Sequence, residues 1–230
     1  MACGDKGMGQ NGRMDPMPDA TPTRICLVRH GETPWNTERR IQGHIDIDLN
    51  ATGEAQARAL GRSLSGHSFA AAYSSDLRRA WHTAQIATAA LGLPVSRAPI
   101  LRERHFGVLQ GITSQEASEQ EPHAHRHHLA RTPDYDLETG ESLVQFAARV
   151  MTGLEHFAAR HAGREVLAVS HGGVLDVAYR AATGLALEAP RDFALPNAAI
   201  NWIEHRAGAW HLIAWADVSH LQQALDELAG

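Results

Sequence analysis

Cysteine, basic blocks and long apolar runs are all scarce in this chain, and each scarcity narrows what it can be. Its two cysteines, Cys3 and Cys26, cannot build a disulfide framework, which fits a reduced cytosol better than an oxidising compartment. No run approaches the ~18 apolar residues of a membrane span. The first 23 residues also lack the apolar middle of a signal peptide, so the expected location is cytoplasmic, with no membrane partner. The 21 Lys and Arg against 26 Asp and Glu leave a formal charge of -5, and no basic block is long enough to follow a phosphate backbone. Nucleic acid is therefore not an expected partner. A repeat of fixed period is missing too, which sets solenoids and propellers aside.

What the chain does have is an alternation of two periodicities. Its 230 residues suit one compact domain. Residues 1–23 hold four Gly, three Pro and four Met without periodicity and read as a disordered N-terminal extension, leaving a single domain over 24–230. "RICLVR", "FAAAYSS" and "EVLAVS" read as buried strands, with a short strand near "PVSRA". Helical spacing appears in "EAQARALGRSL" behind a cap at Thr52, and in "DLRRAWHTAQIATAALG" from Asp76 to Gly92 and Pro94. It appears again in "SLVQFAARVMTGLEHFAARHAG", capped at Gly163, and in "VLDVAYRAATG". The polar middle between them reads as irregular. "AAINWIEHRAGAWHLIAWA" alternates about Ala207-Gly208 as a hairpin does. The closing "SHLQQALDELAG" is amphipathic and could dock on its own domain or on a second copy, so a homodimer stays open. The expected architecture is three-layer α/β, with a mostly parallel central sheet, helices on both faces and one antiparallel edge strand.

Two distant strands end in the same device, "CLVRHG" at His30 and "LAVSHGG" at His171. In open α/β sheets ligands bind beyond the carboxyl ends of the strands, so both histidines belong to the active face. Gly31, Gly172 and Gly173 let the backbone turn and let a ligand approach its N–H groups. The helix that starts after Gly172 offers an anion its free N–H groups and positive dipole end. A third strand end, "AAAYSSDLRRAWHTAQ", puts Arg78 and Arg79 about 100° apart on the first turn of a helix, so that one of them can face the crevice. With Arg29 this gathers at least two guanidinium groups, whose planar forks match phosphate oxygens, beside two imidazoles. A phosphate pocket follows. An imidazole attacks phosphorus only when neutral, with one nitrogen bearing the lone pair and the other N–H held by a backbone acceptor. The product is a phosphohistidine, and no metal is needed. The run "HAHRHH", His123 to His128, could set His123 and His127 on one helical face, but further ligands and groups to orient them are not visible. It reads as a solvated or substrate-facing lid segment rather than a metal site.

These motifs resemble the histidine phosphatase superfamily, which includes phosphoglycerate mutase-like enzymes, over most of residues 24 to 220. The family's RHG triplet is Arg29-His30-Gly31, extended to "RHGETPWN". Its SxLxRA pattern is met by "SDLRRA", which selects Arg79 over Arg78. "LRERHFGVLQG" is similar to the acid-bearing segment and implies Glu103 as general acid, while "SHGG" supplies His171. On the residues alone, Glu116 and Glu141 stay open as alternatives to Glu103. The resemblance implies His30 as nucleophile, Arg29, Arg79 and His171 as holders of the phosphoryl oxygens, and Glu103 as acid and then base. It further implies Asn36, Thr33, Gln42, Gly43 and Gly172 as phosphate or substrate contacts.

Several departures separate the chain from the mutases. Their pattern is ERHYG followed by LQGLNK, where this chain has Phe106 and Ser114, and their arginine pair for a carboxylate is Ala130-Arg131 here. Their longer proline-rich insertion is reduced to "TPDYDLETGESL", with Gly140-Glu141-Ser142 as in the phosphatase branch, and "RIQGHIDIDLNATGEAQA" also resembles that branch. The expected function is hydrolysis of a small phosphorylated metabolite through a phosphohistidine, without a cofactor. One alternative is a mutase, which would need a 2,3-bisphosphoglycerate primer. Another is a catalytically weak binder of phosphorylated ligands, whose mark would be loss of His30, Glu103 or Arg79. Specificity is expected from Thr113 to Tyr135.

Overall fold

The computed structural model describes residues 1 and 21–222. The first half runs β1 (Thr23–Arg29), the short α1 (Pro34–Thr37), α2 (Ala51–Ser63), β2 (Phe69–Ser74), α3 (Arg78–Ala89) and β3 (Val95–Arg97). The second half adds α4 (Ser114–Gln120), α5 (Pro122–Leu129), α6 (Leu143–Arg160), β4 (Glu165–Ser170), α7 (Gly172–Thr183), β5 (Ile200–Arg206) and β6 (Ala209–Asp217). The strands form one sheet in the order β3-β2-β4-β1-β5-β6. From β3 to β1 the pairing is parallel; β5 is antiparallel to β1, and β6 to β5. The strand that opposes the others is therefore β5, one place in from the edge. The tight turn at Ala207-Gly208, with both φ values positive at 51° and 79°, folds β6 back outside it.

The apolar run in β1 is unbroken because both faces of that strand are covered. Ile25 and Leu27 pack with Phe146, Val150 and Leu154 of α6 and Val174 and Val177 of α7. Cys26 and Val28 pack on the other face with Leu60 of α2 and Ala80, Ala84 and Ala87 of α3. Trp210 and Trp215 lie partly buried against the α6/α7 cluster, and Trp202 stacks near Phe69 beside the other. Among the described residues no helix is long and apolar enough to cross a membrane.

Several boundaries differ from the sequence expectation for local reasons. Asn50, not Thr52, caps α2: its side chain accepts from the Gly53 N–H at 2.8 Å. Asp76 lies outside α3 because Arg102 takes its carboxylate with two bonds, at 2.7 and 2.6 Å. α6 stops at Arg160 with His161 as its cap, and Gly163 makes its left-handed turn two residues later. The polar middle is helical rather than irregular. Thr113 and Glu116 form a reciprocal cap on α4, and Pro122 occupies the first turn of α5. Leu109, Ala117, Ala124 and Leu137 give this segment a small core of its own. The expected N-terminal extension lies almost wholly outside the described residues; of the expected closing helix only a short 3-10 turn, Ser219–Leu221, is described as such.

Two glycines press the start of α2 onto the end of β1. A Cβ on Gly31 would lie 2.5 Å from the Gly53 carbonyl oxygen, and one on Gly53 would lie 2.1 Å from that of Glu32. Neither obstacle is a side chain that can swing away. Gly53→Ala is expected to destabilise the fold by about 1–3 kcal/mol, read as a lower urea midpoint with an unchanged slope. An unchanged midpoint would contradict the contact.

Candidate active site

β1 and β4 are neighbours with Arg29 opposite Ser170, and the His30 N–H donates to the Ser170 carbonyl at 2.9 Å. The residues just past both strands therefore emerge side by side. The ring centroids of His30 and His171 are 5.2 Å apart, with planes inclined at 58°. On the far side of β4, the hydroxyl of Ser75 past β2 meets His171 Nε2 at 2.8 Å and accepts the Leu77 N–H at 3.3 Å. His30 Nδ1 lies 2.7 Å from the Gly31 carbonyl oxygen. A carbonyl can only accept, so Nδ1 carries the proton and Nε2 keeps the lone pair.

Both rings are shut away from water, His30 at 3% and His171 at 0% exposure. Burial, followed by the charges of Arg79 and Arg29, holds His30 well below the ordinary imidazole range. Burial, then Arg79, His30 and Arg29, does the same to His171. The two arginines stay charged. Burial brings Arg79 down only to about 10, and its two terminal nitrogens donate to the carbonyls of Ile45 and Gly43 at 3.0 and 2.7 Å. Burial also lowers Arg29, which donates to the Leu195 carbonyl. Arg29 Nε, Arg79 Nε and His171 Nδ1 are buried with no hydrogen-bond partner among the described residues. Two cations held by carbonyls, beside two neutral rings, leave a pocket short of negative charge.

Arg29, His30, Arg79, Glu103, Asn36, Gln42, Gly43 and Gly172 line one cleft of about 590 Å³. Two expected site residues do not. His171 lies fully buried beneath it, and Thr33, also fully buried, caps α1 and accepts the Gln42 amide at 2.9 Å. Arg78 is exposed, with its N–H bonded to Asp46, so Arg79 is the arginine that faces inward. Glu103 accepts the N–H groups of Arg104 at 2.9 Å and of Gly173 at 3.1 Å. A Cβ on Gly173 would sit 2.2 Å from its carboxylate, so any larger residue there would push the Glu103 carboxylate out of this position. The other two acids are engaged elsewhere, Glu116 with Arg40 and Glu141 with Arg149.

Sequence reasoning missed much of the outer wall. Arg104, Arg191, Phe193 and Asp176 also line the cleft, together with His128 and Arg131 from the middle segment. The side chain of Asn197 donates to the His30 carbonyl at 2.9 Å and the Gly31 carbonyl at 3.3 Å. The available signal was weak: Asn197 lies three residues before the start of a strand that pairs with β1. His123 and His127 do share a face, with centroids 4.7 Å apart, but Tyr135 stacks on His127 at 4.3 Å. Among the described residues no group of three or more His, Cys, Asp and Glu could hold a metal ion.

A cation-lined cleft at the carboxyl edge of a parallel sheet, with a neutral imidazole on its floor, is built to handle phosphoryl groups. The chain belongs to the histidine phosphatase superfamily (branch 1), whose sequence profile matches residues 25–218, and it is an enzyme of that family. A metal-independent phosphoserine phosphatase of Arabidopsis thaliana is 43% identical over 202 residues, 86% of this chain and 83% of that protein. Phosphoglycerate mutase-like protein 4 of the same plant is 39% identical over 209 residues, 89% of this chain and 90% of that one. Among solved structures, a phosphoserine phosphatase mutant from Entamoeba histolytica in complex with phosphoserine matches with a TM-score of 0.78 at 27% identity, covering 86% of this chain and 99% of that one.

The two buried neutral rings link stability to pH. An unfolded chain protonates them near 6.5, the folded chain only well below, so acidification through 6.5 favours unfolding, and above it this contribution is fully present. The thermal midpoint is expected to fall as pH drops below 6.5, with the His30 and His171 NMR signals still those of neutral imidazole at pH 6.5. Either ring titrating near 6.5 would contradict the burial described.

Proposed function

We propose that the protein is a cytoplasmic enzyme that hydrolyses a phosphomonoester of a small metabolite by way of a phosphohistidine on His30. The observation that carries this reading is the hydrogen bond from His30 Nδ1 to the Gly31 carbonyl, which leaves the Nε2 lone pair for phosphorus. During in-line transfer the charge spreads over three equatorial oxygens, which Arg29, Arg79, His171 and the N–H groups at the start of α7 hold. Glu103, held in place by the Gly173 and Arg104 N–H groups, gives a proton to the leaving oxygen and then takes one from the attacking water. Asn36, Gln42 and Gly43 border the substrate. Thr33 acts through its neighbours, since its hydroxyl holds the Gln42 amide and its N–H bonds Asn36. Water is favoured as acceptor because Phe106 brings no hydroxyl to the cleft wall and Ser114 turns to His125 at 2.9 Å. The relatives make phosphoserine the first substrate to try.

His30→Ala is expected to lower kcat on p-nitrophenyl phosphate by at least about 10³-fold, and an equal rate in both proteins would sink the phosphohistidine. For Glu103→Gln the leaving group decides. The loss is expected at about 100-fold on an alkyl phosphate, whose alkoxide needs a proton, and much smaller on p-nitrophenyl phosphate, whose phenolate leaves without one. Equal losses on both would remove Glu103 from the acid role. Interconversion of 2- and 3-phosphoglycerate primed by 2,3-bisphosphoglycerate, without net release of phosphate, would point to the mutase instead.

A further inference from the structure

A general acid has to meet the leaving oxygen within hydrogen-bond reach, yet the chain that carries Glu103 has no regular structure of its own. Arg102 to Phe106 form neither helix nor strand. Backbone groups without a ladder must find their partners elsewhere, and here side chains outside the cleft supply them.

Arg149 of α6 uses all five N–H donors of its guanidinium on this stretch and on one carboxylate. Nη1 donates to the carbonyls of Ile100 at 2.9 Å and Arg102 at 3.0 Å, and Nη2 to that of Glu103 at 3.1 Å. The remaining two, from Nε and Nη2, make a fork on the Glu141 carboxylate at 2.8 and 2.7 Å. The Glu103 carbonyl has a second donor, His44 Nε2, at 2.8 Å. Since a carbonyl only accepts, that nitrogen carries the proton.

Glu141 holds the chain on the other side of the acid. Its Oε2 accepts the His105 N–H at 2.9 Å, its own N–H donates to the His105 carbonyl at 2.9 Å, and its carbonyl accepts from Arg104 Nε at 2.8 Å. Guanidinium and carboxylate therefore grip the backbone before and after Glu103, and each keeps the other in register. Neither Arg149 nor Glu141 is among the residues that line the cleft, so neither touches substrate. The Arg149 guanidinium lies instead 5.0 Å from the centre of the Phe146 ring, which does line it.

We propose that Arg149, clamped by Glu141, is the positioning residue of the general acid, fixing the backbone from Ile100 to His105 so that the Glu103 carboxylate stays within reach of the leaving oxygen. This rests on the acid role that the hydrolase reading gives to Glu103. A shift of about 1 Å in a reacting group costs up to about 100-fold in rate. Lysine is no substitute, because a single ammonium cannot span three carbonyls and a carboxylate.

Two aryl esters of similar shape test the tether, p-nitrophenyl phosphate and phenyl phosphate, the second of which releases a more basic phenolate and depends more on a donated proton. The quantity read is kcat/KM, which includes the step in which the ester oxygen leaves. In Arg149→Lys and in Glu141→Gln it is expected to fall about tenfold more on phenyl phosphate than on p-nitrophenyl phosphate, in the same sense as in Glu103→Gln. Combined with Glu103→Gln, either change is expected to leave the ratio of the two esters where Glu103→Gln alone puts it. An unchanged ratio in the single variants, even with a lowered urea midpoint, means a structural role only and would overturn the proposal, as would a further fall in the double variants. Should Arg149→Lys fail to fold, Glu141→Gln, which leaves the guanidinium in place, decides by the same ratio. If Glu103→Gln itself does not move the ratio, the acid role falls and the tether with it. A ratio that moves for Glu103→Gln alone removes only the tether.

Discussion

The proton on His30 Nδ1 is held by the carbonyl of the very next residue, and the chemistry of the cleft depends on that peptide staying where it is. Were the tautomer reversed, the lone pair would face Gly31 and Nε2 would be a donor with nothing to attack. Much of the fold is committed to fixing this one peptide. The Thr83 hydroxyl of α3 accepts the Gly31 N–H at 2.9 Å, and Asn197, from the loop before β5, donates to the carbonyls on either side. Gly53 at the start of α2 packs against Gly31 so closely that neither position has room for a methyl group. The α2/α3 face of the sheet and the loop that leads into the closing hairpin thus meet at His30.

Burial does two opposed things here, and the site uses both. It keeps both imidazoles neutral, as a nucleophile must be, and it strengthens the pull of Arg29 and Arg79 on a phosphoryl group because little water screens them. The arginines keep their charge because carbonyls surround them, and those same charges push protons off the rings. A pocket arranged in this way is strained when empty and relieved by an anion. Glu103 completes it from a different element, tied to the first turn of α7 through Gly173.

The inner half of this site was legible in the sequence because each part follows a strand end directly. His30, His171 and Arg79 all sit within a few residues of an apolar run, and the carboxyl edge of a parallel sheet is where such residues gather. What sequence could not rank was set by long-range contacts. Asn50 and Thr52 are both good caps, and Asn50 is used because its amide also donates to Glu32 at 2.8 Å. Asp76 looked like a helix start until Arg102 claimed it. The helices α4 and α5 were hidden by polar, histidine-rich composition, although the Thr113 to Glu116 cap and Pro122 were there to be read. Thr33 belonged to the right motif but turned inward as a cap. Arg104 and Arg191 lie far apart in the chain, and no periodicity announces that they share a wall, or that Asn197 reaches the His30 and Gly31 carbonyls.

The central claim is that His30 Nε2, and no other atom, takes the phosphoryl group. It is tested most directly by quenching turnover in alkaline detergent, mapping the phosphorylated residue by tandem mass spectrometry, and reading the phosphorus–nitrogen coupling in protein with nitrogen-15 histidine. The account predicts one phosphoryl group, on His30, bonded to Nε2. A phosphoryl group on Nδ1 or on His171, or steady turnover with no covalent intermediate, would contradict it.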